Sequence, residues 1–277
     1  MTNQKITLEL LQKKKVAQEK IIMLTAADYP IARLADASGA DIILVGDSLG
    51  MAVLGLPGTT SLTLEEMIHH TKAVVRAVRR ALVITDLPFG SYQLGPQQAL
   101  GSAIRLIKES GVQGVKLEGG RNQADVITAL TGAGIPVIAH IGLLPQTATL
   151  GRTYQSQGKD AAGAQILLDA ALAVEAAGAF ALVLECVASR TAALITSKLK
   201  IPTIGIGSGP GCDGQVLVSN DLLGLTQGHT PKFVRQFADL SRQIEEAFTT
   251  FGSQVRQGEF PAPEHSFTAS EEIEKLY

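Results

Sequence analysis

Between residue 21 and residue 218 the chain alternates two hydrophobic patterns. Short, nearly unbroken apolar runs are followed by longer stretches whose apolar residues recur at helical spacing. The runs are Ile21–Ala26, Asp41–Gly46, Ala81–Thr85, Gly114–Leu117, Pro136–His140, Ala179–Leu184, Ile201–Gly205 and Gln215–Val218. Continuous apolar character, rather than strict alternation, is what a strand covered on both faces requires. The intervening segments Tyr29–Ser38, Leu64–Arg79, Gln97–Ser110, Asn122–Ala133, Gly163–Ala177 and Ala188–Lys198 read as amphipathic or Ala-rich helices. Several stop at a glycine, as in Ser38-Gly39, Ser110-Gly111 and Ala133-Gly134. Strands recur roughly every thirty residues in several units, the length of one βα unit. The pattern predicts an α/β fold, a (β/α)8 TIM-type barrel. A doubly wound open sheet would want a dinucleotide glycine fingerprint after the first strand, where this chain has Thr25-Ala26-Ala27-Asp28-Tyr29-Pro30.

Extra helices are expected at both ends. Lys13-Lys14-Lys15 reads as the last turn of a short N-terminal helix. A long helix is expected over Pro231–Arg256, with Phe233, Phe237, Leu240, Ile244 and Phe248 on one face. That stripe reads as packing, with a partner groove as the alternative. Residues 1–260 are therefore expected to form a single barrel catalytic domain and residues 261–277 a polar tail.

Composition narrows the partners. With 277 residues and 45% apolar content, the chain suits one barrel, typically about 250 residues. The formal charge is −2, Trp is absent, and no basic stripe with interleaved aromatics occurs, so no nucleic-acid partner is expected. Cys186 and Cys212 form no CxxC and read as reduced thiols, in keeping with a cytoplasmic enzyme. The N-terminal residues lack an apolar signal core. The longest uncharged stretch, 126–151, contains Pro136, His140 and Pro145 and reads as strand plus loop, so no membrane association is expected.

The candidate chemistry sits where the runs end. Asp47, Asp86, Glu118, His140 and Glu185 stand at or just beyond five strand ends. In a parallel barrel those ends form one rim, where active sites are built. A single strand-end Asp is as readily a helix cap or a loop ion pair. Asp47 and Asp86 from different strands, joined by Glu118, make an oxygen half-shell for a hard cation, Mg²⁺ by default. Lys116 shares a strand face with Glu118, and a buried lysine needs an anion. It reads as the cation for a substrate carboxylate, or else as one half of an ion pair across the barrel mouth. Glu185, after Ala181-Leu182-Val183-Leu184, suits abstraction of a carbon-bound proton. Its bland alternative is a salt bridge to Arg190 or another loop cation. His140 is equally readable as a satisfied core residue. The glycine-rich Gly205–Gly211 stretch lacks the Lys-Ser/Thr of a P-loop and reads as a close backbone approach or a tight turn. Together these residues suggest metal-assisted enolate formation from an α-keto acid.

Several segments bear a resemblance: ARLADASGADIILVGDSLGM, MIHHTKAVVRA, DLPFGSY, VKLEGG, HIGLLPQ, ALVLECV, IPTIGIGSG, CDGQVLV, PKFV and EHSF. With them the chain resembles the ketopantoate hydroxymethyltransferase family, from about residue 5 to Phe267. The resemblance implies that Asp47 and Asp86 are direct Mg²⁺ ligands and Glu118 the third metal-site carboxylate. It implies that Asp47, Ser48, Asp86, Lys116 and His140 contact the ketoacid and that Glu185 accepts the proton. It further implies 5,10-methylenetetrahydrofolate as co-substrate and a homo-oligomer, commonly a decamer. The chain departs from the usual family pattern at Ala27, at Leu56–Ser61, at Arg152-Thr153 and at Ser208, where Ala is usual. Two other readings compete: an enolate enzyme of the phosphoenolpyruvate mutase/isocitrate lyase type, and a non-catalytic ketoacid-binding homologue.

Overall fold

A computed structural model describes residues 4–148, 155–226, 228 and 230–270. Helix α1 (Leu8–Val16) leads into β1 (Ile21–Thr25), α2 (Tyr29–Ala37) and β2 (Ile42–Val45). There follow α3 (Leu49–Ala52), α4 (Leu64–Ala77), β3 (Leu82–Asp86), α5 (Pro96–Ser110) and β4 (Gly114–Glu118). The chain continues through α6 (Ala124–Gly132), β5 (Val137–Gly142), α7 (Pro145–Ala148), α8 (Ala161–Ala176), β6 (Ala181–Glu185) and α9 (Ser189–Lys198). It ends with β7 (Thr203–Ile206), β8 (Gly214–Leu217), α10 (Ser219–Leu222) and α11 (Leu240–Gln257).

The strands close into one parallel barrel in chain order, β8 pairing back onto β1 through Ile21↔Gly214 and Met23↔Val216. The expected (β/α)8 class is therefore what forms, with strand ends shifted by a residue or two. One connection differs from the rest. Between β7 and β8 the glycine-rich 207–213 segment carries no helix.

Two apolar clusters explain the closure. Ile42, Leu44, Leu82, Ile84, Ile138, Ala181, Val183, Ile204 and Val216 pack inside the barrel. Ile43, Val45, Val83, Val115, Leu117, Val137, Ala139, Leu182 and Leu184 pack outward, among the helices. Side chains two apart share a face, so the inward phase can be followed along each strand. It runs Leu82–Ile84–Asp86 on β3, Lys116–Glu118 on β4, Ile138–His140 on β5 and Ala181–Val183–Glu185 on β6. The candidate polar residues of these strands thus continue the rows of the barrel interior to its C-terminal end. At the other end Ile6 and Leu11 join the interior cluster. There Lys14 reaches Asp41 at 3.2 Å and Lys15 reaches Asp213 at 2.7 Å, pinning α1 to the barrel.

Local signals set several helix starts. Asp28 caps α2 by accepting from Ile31 N–H at 2.8 Å. Thr63 and Glu66 form a capping box at α4.

The chain divides into two compact units, one of residues 1–219 and 230–234 and the other of residues 220–229 and 235–277. In the second unit the long helix begins at Leu240, later than the expected Pro231. Phe237 N–H and Leu240 N–H donate to the carbonyls of Leu222 and Leu223, so this backbone is used outside a helix. Much of the stripe read as packing is exposed: no residue of α11 is buried, Phe237 is 63% exposed and Phe248 72%. Phe233 belongs to the barrel unit, where its ring lies against Gly207. Residues 271–277 of the expected tail lie outside the described residues, as does the Arg152-Thr153 departure.

Candidate active site

Strand register brings the rim residues side by side. Asp86 is paired with Lys116 across β3–β4, Glu118 with His140 across β4–β5, and Gly142 with Glu185 across β5–β6. Asp47 follows β2 and lies beside Asp86, whose Oδ2 accepts from the Asp47 backbone N–H at 3.0 Å. Ser48 starts α3, and its hydroxyl makes no capping bond. The structure therefore gathers all seven proposed site positions on one rim.

The charge pattern there is unbalanced. Asp47, Asp86, Lys116, Glu118 and His140 are all buried. Lys116 Nζ meets Asp86 Oδ1 at 2.6 Å, so the lysine pairs across strands with Asp86. Burial opposes its charge, but the acids around it, Asp86 first, hold its pKa above the usual lysine value. Burial and the neighbouring Asp86 push the Asp47 carboxyl up to about 7. Burial, then the charge of Asp47, pushes Glu118 well above the usual carboxylate range. Three buried acids thus face one buried lysine. Asp86 Oδ1, for all its closeness to Lys116, lacks a hydrogen bond of normal geometry.

His140 stands between two of the acids. Its Nε2 lies 3.2 Å from Glu185 Oε2 and its Nδ1 3.7 Å from Glu118 Oε1. Burial lowers its pKa, which favours the neutral ring. Among the described residues Glu185 faces His140, and no ion pair joins it to Arg190.

The turn that carries Glu185 is tightly built. Cys186 has a positive φ of 51°, uncommon for a residue with a side chain. The buried Ser208 hydroxyl spans this turn, donating to Leu184 C=O at 2.7 Å and accepting from Val187 N–H at 3.0 Å. Gly142, with φ 100°, lies against the Glu185 carbonyl. A Cβ there would collide with that carbonyl oxygen.

Two buried residues escaped the sequence reading. Gln146 donates to Glu118 Oε2 through its backbone N–H at 3.0 Å and to Asp47 Oδ2 through its side chain at 2.8 Å. Tyr92 donates to Gln146 Oε1 at 2.6 Å. They lie within HIGLLPQ and DLPFGSY, segments that carried the resemblance, but no apolar run points to them.

Residues 5–263 match the family described as ketopantoate hydroxymethyltransferase. The chain belongs to that family. Its membership makes it a transferase enzyme. It is 51% identical over 273 residues to a 3-methyl-2-oxobutanoate hydroxymethyltransferase of Heliobacterium modesticaldum, with 99% of each chain covered. It is 54% identical over 264 residues to the enzyme of that name from Moorella thermoacetica, covering 95% of this chain and 98% of the relative. Among solved structures it is similar to phosphonopyruvate hydrolase in complex with oxalate and Mg²⁺, at TM-score 0.58 and 15% identity, covering 100% of this chain and 95% of that one. It is also similar to 2,3-dimethylmalate lyase, a member of the phosphoenolpyruvate mutase/isocitrate lyase superfamily, at TM-score 0.57 and 16% identity, covering 97% of each chain. At such identities these structures share the fold alone. The whole-chain relatives do not favour a mutase- or lyase-type activity.

Proposed function

We propose that the chain transfers a hydroxymethyl group from 5,10-methylenetetrahydrofolate to 3-methyl-2-oxobutanoate, giving 2-dehydropantoate and tetrahydrofolate. The observation that carries this reading is the rim: an acid-rich cluster with one lysine and, beside it, a carboxylate 3.2 Å from a buried histidine. The whole-chain relatives named for this reaction support it.

The donor set fits a hard divalent cation. Its candidate ligands are carboxylate oxygens, and the three buried acids outnumber the one lysine. Among the described residues no three His, Cys, Asp or Glu side chains form a ready-made metal cage. Mg²⁺ suits that sparseness, because it is commonly held by one or two carboxylates with substrate and water filling the rest. Asp47 and Asp86 would be its direct ligands, and Glu118 would complete the acidic set. When bound, Mg²⁺ would draw charge onto the keto oxygen and ease loss of the neighbouring proton.

The other roles belong to the chain's own groups. Lys116 holds the ketoacid carboxylate, and Ser48 offers it an uncommitted hydroxyl. Glu185 takes the proton from C3, leaving the electron pair shared between C3 and the keto oxygen as an enolate. His140 orients Glu185 and lines the substrate pocket. The folate methylene carbon passes to the enolate carbon: its two C–N bonds break as the C–C bond forms and water's oxygen becomes the hydroxyl, while water's remaining proton and the proton taken by Glu185 end on the two folate nitrogens.

Among the described residues no helix is long and apolar enough to cross a membrane. The reading makes the chain a cytoplasmic enzyme of small-molecule substrates, with no nucleic-acid partner. The exposed apolar stripe of α11 supports a homo-oligomer, for which a decamer is the expected size. The barrel domain is taken as residues 1–260 and the tail as 261–277.

The test is product formation. Purified protein given Mg²⁺, the ketoacid and 5,10-methylenetetrahydrofolate should form 2-dehydropantoate in proportion to tetrahydrofolate. A folded, Mg²⁺-bound protein that binds the ketoacid but forms none would favour the non-catalytic homologue.

A further inference from the structure

We infer that Gln146, supported by Tyr92, is a positioning residue that holds Asp47 and Glu118 in the orientation the site uses. This deepens the proposed enolate chemistry and rests on it for its functional consequence. Gln146 is 1% exposed and sits in the short helix α7, directly after β5. Its side-chain Nε2 donates to Asp47 Oδ2 at 2.8 Å and to Leu87 C=O at 3.0 Å. Its Oε1 accepts from the Tyr92 hydroxyl at 2.6 Å, and its backbone N–H donates to Glu118 Oε2 at 3.0 Å. One residue therefore ties together acids that arrive from the ends of β2 and β4.

Chemistry fixes which way the amide faces. The Leu87 carbonyl, 3.0 Å from the amide, can only accept a hydrogen bond, so the atom facing it is Nε2 and Oε1 is left for a donor. Tyr92 supplies that donor. Its phenol hydroxyl lies 2.6 Å from Oε1 and donates to it. Its oxygen also accepts from Glu118 N–H at 3.3 Å. A flipped amide would set oxygen against the Leu87 carbonyl and nitrogen against a donor. A buried network in which every member is satisfied has one low-energy arrangement. One oxygen of each carboxylate is committed to Gln146, and what each acid offers the site is its other oxygen.

Gln146 touches neither reacting atom in this account and acts through the two acids. Two measurements on Gln146→Met, which keeps the length and removes the amide, decide the matter. In a crystal structure of this variant the Asp47 and Glu118 carboxylates should leave their wild-type positions. Both carboxylates in unchanged rotamers would overturn the inference. By calorimetry, Mg²⁺-dependent binding of 3-methyl-2-oxobutanoate should weaken by roughly ten-fold or more, in the range seen when partners of metal ligands are removed. The KM for the ketoacid should rise while that for the folate stays near wild type. A general loss of stability would not produce that split. Wild-type affinity in the folded variant would overturn the inference as well. Should Gln146→Met fail to fold, Tyr92→Phe removes only the hydroxyl and should weaken binding in the same direction by a smaller factor. An unchanged affinity there would contradict the role of the network. Wild-type protein that binds no ketoacid with Mg²⁺ would sink the enolate reading instead, and the crystallographic arm would still decide the positioning claim.

Discussion

His140 Nε2 lies 3.2 Å from Glu185 Oε2, and both groups stand on inward positions of neighbouring strands, β5 and β6. Burial favours the neutral ring, so the imidazole can present an N–H to the carboxylate without adding a charge. In the proposed reaction this contact would aim one carboxylate oxygen and leave the other for the substrate. Replacing His140 by Phe should weaken Mg²⁺-dependent ketoacid binding less than it slows proton abstraction. Proton abstraction should slow by up to about a hundred-fold, the cost of a misplaced reacting group. Single-turnover exchange measurements check this, and a rate equal to wild type would remove His140 as an orienting group.

Asp86→Ala should damage both fold and site. Lys116, buried and 2.6 Å from Asp86 Oδ1, would lose its closest anion. Breaking a buried pair typically costs about 3–5 kcal/mol. Mg²⁺-dependent ketoacid binding should weaken with it. A calorimetric titration matching wild type would exclude Asp86 as a ligand. The double variant Asp86→Asn/Lys116→Met should recover much of the stability and none of the binding.

Ser208→Ala isolates the turn under Glu185. The serine hydroxyl accepts from Val187 N–H and donates to Leu184 C=O inside the protein. Its removal leaves both groups without this partner, a loss of about 1–3 kcal/mol in urea unfolding. The left-handed Cys186 would be less firmly held. Unchanged stability would mean that the turn is maintained by the rest of the loop.

Stability should fall with rising pH in protein stripped of metal. Folding raises the Asp47 carboxyl from 3.8 to about 7. Between those values the folded state binds more protons than the unfolded chain, so the stabilisation is lost as pH rises through about 7. Glu118, raised by burial and by Asp47, acts with the same sign. His140, lowered by burial, acts with the opposite sign below its ordinary 6.5. Thermal unfolding between pH 6.5 and 8 separates them: the midpoint should drop for wild type and drop less for Asp47→Asn. Saturating Mg²⁺ should flatten the wild-type slope. A midpoint that rises across this interval without metal would contradict the account.

The barrel was legible because its strands are nearly unbroken apolar runs, and because Asp86, Glu118, His140 and Glu185 keep the inward phase of those runs. Pairing was less legible. Lys116 shares a strand with Glu118, yet its close partner is Asp86 across the sheet, a matter of register that one strand cannot reveal. Gln146 was silent for a related reason. It follows a strand, and its partners Leu87 and Asp47 lie 59 and 99 positions away in the chain. The stripe around α11 shows the reverse error. Helical spacing announces an apolar face, but it does not say whether this chain covers it.

Hydrogen exchange at C3 tests the central claim most directly. The protein is incubated with 3-methyl-2-oxobutanoate and Mg²⁺ in D₂O, without folate, while proton NMR follows the C3 methine. Wild type should erase that signal. Chelating the metal should abolish the effect, and Glu185→Gln should slow it by about 10²–10⁴-fold while still binding the ketoacid. Exchange by Glu185→Gln at the wild-type rate, or a wild-type rate indifferent to chelation, would contradict the account.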